Sequence, residues 1–110
     1  MMGLLMLKEE IEPPLNFVFS KKVLEKLEEK HCGITKTDVL ECFDNSDGRA
    51  LEDTREEHIT VPPTQWFISE TNRGKRLKVC FVYVEEENTV YIKTAFEPND
   101  TEIYIFEKYA

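Results

Sequence analysis

The sequence predicts an α+β fold, with two N-terminal helices packed on a four-stranded, mostly antiparallel sheet and a C-terminal helix. Three observations lead there. Apolar residues recur at helical spacing in Val23, Leu24 and Leu27, and again in Val39, Leu40 and Phe43. Aromatic and β-branched residues then concentrate over positions 65–95, in alternating rather than helical order. Beyond Pro98 the helical interval returns, with Glu102 and Ile105, and Phe106 and Tyr109, three apart.

Each element has a local reason. Asn16–Phe19 is short and apolar enough for a strand or a docked arm. Ser20 is a good N-cap for the first helix, and Gly33 supplies the left-handed residue that ends it. Its surface carries Lys and Glu pairs of both like and opposite sign, which stabilise it little. The second helix has a fuller start signal. Thr35 caps, Asp38 answers it three residues on, and Ile34 and Val39 hold the hydrophobic-staple positions. The run DNSDG at Asp44–Gly48 is turn chemistry. It is not a calcium loop: with Asp44 first, Arg49 and Arg55 fall where Gly and Glu are required.

The four strands follow. Arg55–Val61 is the first, closed by Pro62 and Pro63, and Gln65–Thr71 is the second. Asn72-Arg73-Gly74-Lys75 is a hairpin turn. Arg76–Val84 is the third. Leu77, Val79, Phe81 and Tyr83 line one of its faces and Lys78, Cys80, Val82 and Val84 the other, so it should begin half-solvated and end buried on both sides. Glu85–Asn88 is a polar turn and Thr89–Ala95 the fourth strand. In the tail, Ile103 and Ile105 alternate as in a strand, but Asp100 is a cap candidate and a helix is the better reading. The predicted core is Val23, Leu27, Val39, Phe43, Leu77, Val79, Phe81 and Ile92.

The 110 residues suit one domain, with 41% hydrophobic and 33% charged residues in an ordinary globular balance. We expect a flexible extension over residues 1–15 and a single α+β domain over 16–110. The net charge of −8 opposes nucleic-acid phosphates over most of the surface, so RNA is a disfavoured partner unless a local basic patch holds it. Three cysteines, Cys32, Cys42 and Cys80, form no CxxC spacing, and an odd count suits a reducing compartment. Neither a signal peptide nor a membrane-spanning run is present, so a cytoplasmic location is expected. No cofactor or metal motif occurs.

Candidate chemistry centres on Leu51–Arg76. Asp53, Arg55, Glu56 and His58 lie close in sequence, and a strand would put Glu56 and His58 on one face as an acid–base pair. The plainer reading is a polar strand edge with ordinary ion pairs. Arg73, Lys75, Arg76 and Lys78 are the one dense basic cluster. They could grip a phosphate or an acidic partner, or guard a sheet edge against aggregation. Trp66, Tyr83 and Tyr91 could stack on bases, although aromatics on alternating strands are more often core.

The stretches VLEKLEEKHCGITKTDVLECF, GKRLKVCF and YIKTAF, with Glu102 beyond the last, resemble the BrnT toxins, small ribonucleases of RelE-like fold that pair with an antitoxin. Lys30, His31, Gly33, Phe43, Gly74, Arg76, Ala95 and Glu102 carry the match, which spans about Phe17 to Phe106. The order of two short helices, antiparallel strands and a terminal helix is similar as well. The resemblance implies a ribonuclease site that includes Arg76 and Glu102, with Arg55, His58, Arg73 and Lys93 as candidate substitutes for the family's cations. Phe96 stands where the family has the Arg of its S-A-R element, and the family's basic terminal helix is here EPNDTEIYIFEKY. A domain that kept the fold and lost the charge would instead bind protein. The partner would be an antitoxin-like protein or a second copy in a homodimer, with Arg73, Lys75 and Arg76 meeting Glu85–Glu87. The LEDTREEH…NRG pattern also resembles small chains labelled ADP-ribosyl-(dinitrogen reductase) hydrolases. Enzymes of that activity are much larger, all-helical and dependent on Asp-bound magnesium, a site this chain cannot supply.

Overall fold

In the computed structural model, which describes residues 15–30, 33–54 and 60–110, Ser20 opens the first helix. Its Oγ accepts the Val23 N–H at 3.1 Å, and helix α1 runs Lys21–Lys30. Gly33 follows at φ +78°, the left-handed conformation expected of a helix stop. Helix α2, Lys36–Asn45, begins with the complete capping box. Asp38 N–H donates to Thr35 Oγ1 and Thr35 N–H to Asp38 Oδ2, each at 3.0 Å.

Among the described residues five strands form one sheet, one more than the sequence predicts. They are β1 (Asn16–Val18), β2 (Leu51–Glu52), β3 (Thr64–Glu70), β4 (Arg76–Val84) and β5 (Thr89–Phe96), in the order β1-β5-β4-β3-β2. β2, β3, β4 and β5 are antiparallel neighbours, whereas β1 lies parallel to β5. The sheet is therefore mixed. The chain runs through α1, α2 and the strands β2, β3 and β4 before β5 returns beside β1, and such a long crossover is what parallel pairing requires. The hairpin between β3 and β4 is as predicted, with Thr71 N–H bonded to Lys75 C=O and Gly74 at φ +87°. The turn before β5 is a short 3-10 segment, Glu85–Glu87, with Asn88 left-handed at its end. Helix α3, Asp100–Tyr109, confirms the helical reading of the tail but moves the cap. Asn99, not Asp100, accepts the Glu102 N–H, and Glu102 returns the bond to Asn99 N–H.

The predicted extension and the predicted strand over Arg55–Val61 fall mainly on residues outside those described. Thr60 and Val61 are not in a strand.

Side-chain alternation divides the helices between the two sheet faces. Phe43 of α2 meets Phe67 of β3 and Phe81 of β4, whereas Phe106 and Glu102 of α3 meet Trp66 and Lys78, which point the other way. Helix α2 thus covers one face and α3 covers part of the opposite one. This reverses the expected burial of β4. Leu77, Lys78 and Val79 are all buried, while Val82, Tyr83 and Val84 at the far end are half-buried. Of the predicted core, Leu27, Val39, Leu77, Val79, Phe81 and Ile92 are buried, and Val23 and Phe43 pack against them half-buried. Trp66, Phe67, Val90, Ala95 and Phe106 are buried with them.

Candidate functional site

Among the described residues, β4 and α3 build a largely buried ion pair against Trp66 of β3. Lys78 sits on the α3 face of β4 with only 9% of its surface exposed. A buried lysine must find a partner for its ammonium. Here Nζ donates to Glu102 Oε2 at 2.8 Å and lies 4.3 Å from the centroid of the Trp66 ring and 5.5 Å from that of Phe96. Glu102 is in turn held from the other side, since its Oε1 accepts the N–H of Asn99 in the capping box. One carboxylate therefore starts α3 and neutralises the cation beneath it. Leu51, Asp53, Thr54, Ile105 and Tyr109 wall the cleft above this pair, which has a volume of about 440 Å³.

Arg76 and Lys93 do not join it. Arg76 is exposed at the start of β4, opposite Glu70 in the ladder, and lines a separate cleft of about 480 Å³ between β3, α3 and the loop after α2. Lys93 is the residue skipped where the β4–β5 register shifts, since Phe81 pairs with Ile92 and Cys80 with Thr94. It is exposed and lines a third cavity with Val23 and Lys26 of α1. Arg55 and His58 lie outside the described residues, as do His31 and Cys32. Of the expected site, then, Arg76, Lys93 and Glu102 are placed, and they occupy three different cavities. Lys78, which the sequence put only in a basic cluster, is the cation that meets Glu102. Its alternation with Leu77 and Val79 marks its face but not the helix that covers it.

The other hairpin cations already have internal partners. Arg73 reaches Asp38 at 3.7 Å and Lys75 reaches Glu97 at 3.6 Å. Both pairs are solvent-exposed on at least one side and hold weakly. Trp66 is core, as the plainer reading has it, while Tyr83 and Tyr91 are half-buried. Tyr91 donates its hydroxyl to Glu87, and that carboxylate raises its pKa.

Cys42 is a core thiol rather than a nucleophile. It is fully buried, and burial, helped by Asp38, Glu41 and Glu70, pushes its pKa up to about 12. The consequence for stability has a definite sign. The folded state keeps the proton that the unfolded chain releases from about pH 9, so this contribution is complete below pH 9 and is lost as pH rises toward 12. We expect Cys42→Ala to flatten the alkaline fall in stability by up to about 1 kcal/mol per pH unit above pH 9. Urea titrations at pH 8, 9 and 10 would show it, and identical slopes in both proteins would refute it. Among the described residues no group of three His, Cys, Asp or Glu side chains could hold a metal ion, and no helix is long and apolar enough to cross a membrane.

Compared with family models, curated proteins and solved structures, the chain matches no family model, no curated protein and no solved structure.

Proposed function

We propose that the chain is a protein-interaction domain on the ground plan of a BrnT-like toxin ribonuclease, with the ribonuclease chemistry lost. What supports the ground plan is the order of two helices, antiparallel strands and a terminal helix, although here the strand β1 precedes the helices and pairs in parallel. The observation that carries the loss of chemistry is the Lys78–Glu102 pair. Phosphoryl transfer on RNA needs cations free to stabilise developing charge. The most enclosed cation among the described residues is instead matched by a carboxylate at 2.8 Å. Arg76 and Lys93 line two other cavities. A chain of net charge −8 supplies no basic field to gather RNA around them. The same acidic surface suits steering toward a basic protein.

Expression of the chain in a bacterial host decides between the two functions. We expect normal growth and undiminished protein, together with no retention of labelled RNA on filters at low salt. Growth arrest abolished by His58→Ala or Arg76→Ala would restore the nuclease reading, as would RNA retention with a steep salt slope.

A further inference from the structure

Among the described residues, the sheet is not finished on its β3 side. β2 pairs with β3 only at Gln65 and Trp66. Two hydrogen bonds fix which backbone groups of β3 face outward. Thr71 N–H bonds to Lys75 C=O across the hairpin, and Asp53 N–H bonds to Thr64 C=O on the other side. Alternation then turns Gln65, Phe67 and Ser69 toward β4, and Trp66, Ile68 and Glu70 outward. The ladder that reaches Trp66 would next take Ile68, with Arg49 as its partner. Asp47 prevents this. Its Oδ1 accepts the Arg49 N–H at 3.1 Å and its Oδ2 accepts Arg49 Nε at 2.9 Å, so the chain turns away. The Glu70 C=O is closed by Asn45 Nδ2 at 2.8 Å. What faces the cleft is the N–H and C=O of Ile68 and the N–H of Glu70, with no strand beside them among the described residues.

We propose that this gap receives an extended, basic segment of a partner protein as an added strand. The inference rests on the protein-interaction reading and gives that interaction a place and a chemistry. Side chains on the α3 face supply the specificity that backbone bonds lack. Ile68, Ile103 and Phe106 line the cleft as apolar ground, and an added strand would lay alternate side chains over it. The charge of the occupant follows from the rim. Arg49 is matched by Asp47, and Arg76 stands opposite Glu70 in the ladder. Glu107 remains, on a chain of net charge −8. A segment alternating apolar residues with Lys or Arg fits both the floor and the rim.

The test uses short random peptides displayed on phage, selected on the full chain, and then synthetic copies of the enriched sequences followed by fluorescence anisotropy. Enriched peptides should alternate apolar and basic residues. Ile68→Pro removes an outward N–H and leaves the β4 ladder intact, since proline is tolerated at such edge positions. It should weaken binding at least about tenfold, the loss expected of one or two interface hydrogen bonds. Ile103→Lys, at a half-buried position lining the cleft, should weaken it comparably with an unchanged circular dichroism spectrum. Saturating peptide should slow amide exchange at Ile68 and Glu70. Acidic enriched peptides, no enriched peptide, or a chain that dimerises through this edge and ignores basic peptides would each overturn the proposal. Peptides that bind both variants as well as the parent would also overturn it while leaving the protein-interaction reading standing. RNA retention without peptide binding would remove both.

Discussion

Lys78→Met should destabilise the domain by about 3 kcal/mol, and adding Glu102→Gln should restore most of that loss. The side chains of Lys78 and Glu102 are only 11% and 20% exposed, so removing the ammonium leaves a carboxylate that water can hardly solvate. Breaking such a pair from one side typically costs about 3–5 kcal/mol, and the residual exposure of Glu102 argues for the lower end. Methionine keeps an unbranched apolar stem and a polarisable sulfur against the Trp66 ring, which limits the packing loss. A glutamine at position 102 would carry no charge and could still accept the Asn99 N–H that Glu102 accepts at 2.9 Å. The double variant should therefore lie within about 1 kcal/mol of the parent, giving a coupling energy near the upper end of that seen for contacting residues. Urea unfolding of the four proteins measures it. Additive losses would mean that the two side chains stabilise independently and that the pair is incidental.

The pair also cancels the charge of the buried cation on this face. A free lysine between Trp66 and Phe96 would be an attractive anion site. With Glu102 against it, the net charge of the pair is zero, and cation–π contacts occupy the rest of the ammonium's surroundings. Glu102 comes from the resemblance as a candidate catalytic group. Its two oxygens are instead bound to Lys78 and to the start of α3.

What the sequence showed and what it did not divides along locality. Ser20, Thr35 with Asp38, Gly33 and the NRGK turn each act within a few residues, and each is where its chemistry put it. β4 was legible to the residue, because Arg76–Val84 alternates without interruption between two turn signals. The burial of Lys78 was not, because it depends on α3 landing over the second face of the sheet, with Glu102 24 positions away. β1 was read as a strand or an arm, but no local pattern shows that three residues will pair in parallel with β5. β2 is only Leu51–Glu52, too short for any periodicity to register. The candidate site suffered most from this. Arg76, Lys93 and Glu102 were drawn together by family resemblance, while the bulge at Lys93 and the two-sided covering of the sheet set them in different cavities.

Phe43→Ala is the second large effect expected, at about 3 kcal/mol. Phe43 is half-buried, yet its ring meets three others edge-on. These are Phe17 on β1 at 4.9 Å, Phe67 on β3 at 4.8 Å and Phe81 on β4 at 5.5 Å. Each such contact adds about 0.5–1.5 kcal/mol beyond the area it buries. Phe43→Leu should cost roughly half as much, since it keeps most of the apolar volume and loses the ring geometry. The damage should be uneven. Phe67 and Phe81 retain each other at 5.9 Å and are flanked by paired strands. Phe17 belongs to a three-residue strand paired with β5 at the end of the sheet order, and Phe43 is its ring partner in this cluster. A short edge element with so few contacts opens at low free energy. Hydrogen exchange in Phe43→Ala should therefore accelerate most at Asn16–Val18 and along β5, while β3 and β4 lose protection only in step with global stability. Uniform acceleration across all strands would show that Phe43 stabilises the core as a whole rather than clamping β1 onto the sheet.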